Sequence, residues 1–145
     1  MEKEKNKILH EIVDPILPKF SLHDFIQVII GASVLAVPIG FTEETWRLGE
    51  TLPVLNIVGL LTLSLIFIST FTYYQYHHKH KENKGWKEFI KRVFFTYVFS
   101  FIVVAIIMTL IQRAPWNTEM IIAFKRVAIV TFPSSMSAAI ADTLK

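Results

Sequence analysis

The chain has 145 residues, enough for one domain, with 52% hydrophobic residues, a formal charge of +3 and no cysteine. The lack of cysteine excludes disulfides and thiolate metal sites. The small net charge says less than its placement, because the apolar residues gather in four blocks (25–41, 52–71, 93–111 and 127–144) and the charges fall between them.

Blocks of that length with almost no charge exceed what an amphipathic core helix needs and read as membrane-spanning helices. The fold expected is all-α, an integral membrane bundle of four transmembrane helices over about 22–45, 52–74, 93–112 and 119–144. Residues 1–20 precede it, mixing Lys and Glu around Ile8, Leu9, Ile12, Val13, Ile16 and Leu17. That spacing suits either a helix lying on the membrane surface until Pro15 and Pro18 interrupt it, or a frayed tail. It lacks a basic region followed by an apolar core and small-residue cleavage site, so no cleaved signal peptide is expected.

The first span opens with a helix-start signal. Ser21 can cap it, with Asp24 three residues on as capping-box partner and Phe20 and Phe25 at hydrophobic-staple positions. From Phe25 to Phe41 only Gln27 and Ser33 have hydrogen-bonding side chains, and the run reaches roughly 25 Å at the helical rise, close to the hydrocarbon thickness. Pro38 removes the hydrogen bond to the carbonyl of Val34. Arg47 to Glu50 then makes a short polar turn containing Gly49, and Pro53 suits the opening turn of a second helix. That helix closes on Tyr73, Tyr74 and Tyr76, an interfacial belt.

Residues 77–92 are the most charged stretch. Lys79, Lys81, Lys84, Lys87, Lys91 and Arg92 place it in the cytoplasm by the positive-inside rule, facing anionic lipid headgroups. Nucleic acid is not expected as a partner, because lipid accounts for the basic loop in a membrane protein. His77, His78 and His80 are weak candidates for a transition metal, since the intervening lysines repel a cation. No other metal site and no cofactor is expected.

A third span and a turn at 113–118, with Trp116 at the interface, lead to the last segment. Counting that span from Glu119 would sink Lys125 and Arg126 roughly 10 Å into the membrane, which is costly unless they are paired. Counting from Val127 leaves about 27 Å, just enough to cross, with 119–126 as an outer helical extension. The second count is preferred. Four spans put both termini on the side of the basic loop, so a multi-pass protein of the cell membrane, N-in and C-in, is expected.

The stretch GASVLAVPIGFTEETWRLGE, residues 31–50, carries a proline, an aromatic-Thr-x-Glu-x-Trp motif and a Leu-Gly pair: Pro38, Phe41, Thr42, Glu44, Trp46, Leu48 and Gly49. With VAIVTFPSSMSAAIADTL near the end, it resembles a family of prokaryotic multi-pass integral membrane proteins. The resemblance implies a membrane location and no particular reaction.

Glu43 and Glu44 close the first span and, with Pro38, Thr42, Ser134, Ser135 and Asp142, are candidates for an ion or proton pathway. Glu44 is preferred for an inward role because it falls on the motif. The alternative is that one glutamate faces water while the other pairs with Lys125 or Arg126. Asp142 is expected near the inner end, within reach of water. Small residues on the first and last spans suit close packing of these helices, on each other or on another subunit, and would also suit a pore lining. No phosphate loop, HExxH motif or GxSxG elbow is present, and no enzyme is expected. Two functions follow: a small homo-oligomeric channel or transporter for cations or protons, or a non-catalytic structural or regulatory protein binding lipid or a partner through its basic loop.

Overall fold

A computed structural model describes residues 1–13, 21–79 and 85–144. Among them the chain is entirely helical outside its turns: α1 (Glu2–Val13), α2 (Leu22–Gly40), α3 (Glu43–Thr51), α4 (Val54–Lys79), α5 (Trp86–Leu110) and α6 (Met120–Thr143). Four of these, α2, α4, α5 and α6, are long and apolar enough to cross a membrane.

Local chemistry sets the helix ends. Ser21 Oγ accepts from the backbone N–H of His23 at 3.1 Å, while the Ser21 N–H donates to Asp24 Oδ2 at 3.2 Å, so the anticipated capping box forms. Phe20 of the expected staple lies outside the described residues. At the other end of α2 the chain turns at Phe41 and Thr42, and Glu43 to Thr51 forms a separate helix. A span reaching 45 and a polar turn over 47–50 were expected there. The acidic pair Glu43 and Glu44 instead sits in the first turn of α3, where the helix dipole favours negative charge. Proline interrupts neither α2 nor α6, and α6 is continuous through Pro133.

The other three spans surround α6, which is the most enclosed of the four. Half of its apolar window is buried (50%), against 28% for α2, 17% for α4 and 28% for α5. It is also the least apolar, with a mean hydropathy of 1.2 against 1.8, 2.2 and 2.5. Polarity and burial run together because lipid selects the outer helices for apolar side chains, while a helix enclosed by protein can find partners for hydroxyls. α4 runs parallel to α6, as the pairs Leu52–Lys125 and Ser64–Ser135 require, while α5 runs antiparallel to it, by the pairs Arg92–Asp142 and Phe101–Phe124, as does α2, whose Gly31 meets Ala141 and whose Ala36 clusters with Val127 and Val130.

Small residues permit the closest of these approaches. A Cβ placed on Gly31 of α2 would lie 2.5 Å from Ala141 Cβ, 2.9 Å from Ala138 Cα and 2.9 Å from the Ser137 carbonyl oxygen of α6. Val28, Ala32 and Ala138 fill the adjoining core. The small-residue faces of the first and last spans therefore pack on each other within one chain. Among the described residues α1 makes no contact with the other helices.

Candidate functional site

The polar side chains concentrate at three levels along α6. At the first, near its N-terminus, Arg126 is 8% exposed. Its Nε donates to the Trp46 carbonyl at 3.1 Å, one terminal nitrogen to the Arg113 carbonyl at 2.9 Å and the other to Glu50 Oε1 at 2.6 Å. Lys125 beside it donates to the Leu52 carbonyl at 2.8 Å. Both cations lie within the first two turns of α6, and the carboxylate that meets Arg126 is Glu50 rather than Glu43 or Glu44.

The short helix α3 is what brings these groups together. Trp46, Gly49 and Glu50 stand three and four residues apart, on one helical face. Trp46 Nε1 donates to the Gly40 carbonyl at 2.8 Å, satisfying one of the acceptors left open where α2 ends. The Arg113 guanidinium lies 3.6 Å above the Trp46 ring, a cation–π contact. Gly49 leaves room for Arg126, whose Cγ would be 2.3 Å from a Cβ at that position. Thr42 Oγ1 lies 2.8 Å from both the Ile39 carbonyl and Thr45 Oγ1, closing the turn between α2 and α3. Glu43, Glu44 and Pro38 are all exposed. Three residues of the motif, Thr42, Trp46 and Gly49, thus fasten α3 to α2 and α6.

The second level lies in the middle of the bundle. Ser64 of α4 and Ser135 of α6 are fully buried, with their hydroxyl oxygens 2.7 Å apart. The Tyr97 hydroxyl of α5 is directed at Ser64 without closing a hydrogen bond of ordinary geometry, and its oxygen is buried. Thr131 and Ser134, also buried, turn their hydroxyls back onto the carbonyls of Val127 and Val130 at 2.7 Å. Such bonds satisfy a hydroxyl within its own helix.

The third level lies near the C-terminus of α6. Asp142 is 7% exposed, and Arg92 donates to its Oδ2 from Nε at 2.9 Å and from a terminal nitrogen at 2.7 Å. Asp142 Oδ1 is buried and meets no hydrogen-bond partner among the described residues. The same holds for Gln27 Oε1, one turn along α2 from Gly31, towards this end of the bundle. Two expectations are corrected at this level. Asp142 is enclosed rather than open to water, because Arg92 closes over it. Arg92 belongs to a helical ion pair, where it was expected to face headgroups from a loop.

Of the other basic residues, Lys87 is exposed and Lys91 half-buried on α5. Lys81, Lys84 and His80 lie outside the described residues, as do the side chains of His78 and Lys79. The His77 ring stacks on Tyr73 at 5.9 Å, and among the described residues no group of three His, Asp or Glu side chains could hold a metal ion.

Sequence reasoning missed Glu50, Arg92 and Tyr97 as partners of these clusters. For the first two a signal existed. Glu50 shares a bundle end with Arg126, and Arg92 shares one with Asp142, so opposite charges at one depth pointed to pairing. Tyr97 gave none, because an aromatic in an apolar block reads as packing.

Three strongly apolar spans around a more polar fourth, with ion pairs at both of its ends, define an integral membrane protein of the all-α class. The chain matches the family described as "Putative integral membrane protein (DUF2391)" over residues 2–144, and it belongs to that family. No curated protein and no solved structure gives a significant match.

Proposed function

We propose that the protein moves protons or small cations across a cell membrane and that α6 is the helix that carries them. The observation supporting this is Asp142, an enclosed carboxylate with one oxygen engaged by Arg92 and the other without a partner among the described residues. A carboxylate within a membrane-spanning helix is costly to place there, and such residues commonly mark ion or proton pathways. Ser134, Ser135 and Thr131 continue the polar line along α6 towards Arg126. At the far end Glu43 and Glu44 stand exposed on α3, where carboxylates raise the local concentration of cations.

In this reading the end holding Lys87, Lys91 and Arg92 is cytoplasmic, by the excess of Lys and Arg there. The exposed Lys87 then faces anionic headgroups. Because α6 is packed by α2, α3, α4 and α5, the pathway runs within one protomer. Homo-oligomers would associate through outer helices, α4 being the least buried.

A structural role is the second reading. It is favoured by Arg126, whose three hydrogen bonds all tie the fold together. Flux across liposomes holding the purified protein separates the two, with protons and several monovalent cations compared. Transport predicts flux above protein-free liposomes that Glu44→Gln changes modestly, since Glu44 is exposed at the mouth. Absence of flux from folded, inserted protein would favour the structural reading, with a partner or lipid at the basic end.

A further inference from the structure

We infer that the species moved is the proton, and that it passes the middle of the bundle through a hydroxyl node formed by Ser64, Tyr97 and Ser135 with one buried water molecule. The inference rests on the transport reading and deepens it. Each of the spans α4, α5 and α6 contributes one hydroxyl to this node. Ser64 and Ser135 hold each other at 2.7 Å with no exposure to solvent, and Ser135 Oγ also donates to the Phe132 carbonyl at 3.0 Å, from which it must turn to pass its proton on. The Tyr97 oxygen is buried beside them, aimed at Ser64 and lacking a bond of ordinary geometry. A buried hydroxyl in that condition is unfavourable unless water completes it, and three hydroxyls at one point supply the two to four polar partners that a buried water needs.

The chemistry of the node separates a proton from a metal cation. Its three neutral hydroxyl oxygens and one water are fewer than the about six to eight oxygens that replace a metal ion's hydration shell. Each hydroxyl is both donor and acceptor. A proton can therefore arrive on one lone pair while the hydroxyl's own proton leaves to the next oxygen. Every such hop makes one O–H bond and breaks another, so no oxidant or reductant is involved.

Tyr97 is placed to link the node to Asp142. It lies five residues, about 7.5 Å, along α5 from Arg92, which holds that carboxylate. It packs with Ile68, Val93 and Ala139, one turn of α6 short of Asp142. The unpartnered Oδ1 of Asp142 is the acceptor at that end.

The test uses full-length protein in liposomes with either a proton gradient or a sodium or potassium gradient. The proton gradient should collapse and the metal gradients persist, and proton flux should slow in heavy water. Tyr97→Phe should cut proton flux roughly a hundredfold, the low end of what a positioned proton-transfer group contributes. Its thermal transition should stay close to that of the wild type, because the Tyr97 oxygen closes no hydrogen bond of ordinary geometry with Ser64. Should Tyr97→Phe fail to fold, Ser64→Ala carries the same expectation for flux. Metal-cation flux as fast as proton flux, or unchanged proton flux in a folded Tyr97→Phe or Ser64→Ala protein, overturns the inference while leaving transport intact. Absence of flux for every ion removes the transport reading, and this inference with it.

Discussion

Two glycines with different surroundings make the residue-scale account testable. Gly31 faces backbone atoms of α6 within 3 Å of a would-be Cβ, whereas nothing lies within 4 Å of one at Gly59. Gly31→Ala should therefore separate α2 from α6 and destabilise by about 1–3 kcal/mol, as overpacking does. Gly59→Ala should be neutral or stabilise by up to about 1 kcal/mol through helix propensity. Thermal unfolding in detergent checks the pair, and equal losses would refute the packing described. Before the structure, Gly31 was readable only as one small residue among several. Which glycine meets a partner depends on helix rotation, which a uniformly apolar block leaves open.

At the scale of elements, α3 is an anchored strap whose hold comes from buried Arg126. Arg126→Ala leaves the carbonyls of Trp46 and Arg113 without their donor and should cost about 3 kcal/mol. Glu50→Gln keeps an acceptor at a side chain that is 56% exposed, where water screens the pair, and should cost about 1 kcal/mol or less. Denaturant titration of the two variants in detergent tests that order, and the reverse order would contradict it. The capping box at Ser21 and Asp24 was legible because cap chemistry is local. The break at Phe41 and Thr42 was not, since Glu43 and Glu44 could end one helix or begin another. Lys125 and Arg126 were recognisable as cations needing partners, but which carboxylate or carbonyl they meet depends on where α3 docks.

For the whole molecule, four charge-poor blocks made the membrane class and the number of spans legible, because the thickness of a bilayer sets the length of a helix that crosses it. The central place of α6 was partly legible in its serines, threonines and alanines, which lipid-facing helices need not carry. Orientation can be checked directly, since the absence of cysteine allows clean single-cysteine labelling. Lys87→Cys in intact cells should resist a membrane-impermeant thiol reagent, while Glu43→Cys should react. The opposite pattern would reverse the proposed topology.

The central claim is that α6 carries the transported ion through the enclosed carboxylate of Asp142. Its most direct test is the proton permeability of liposomes containing wild-type protein or Asp142→Asn, with helix content and orientation matched. Asparagine keeps the size of the side chain and an oxygen for Arg92 but cannot take up and release a proton at this step. The account predicts that wild-type liposomes lose an imposed pH gradient and that Asp142→Asn liposomes hold it as well as protein-free ones do. Equal leakage from wild-type and Asp142→Asn protein would contradict it.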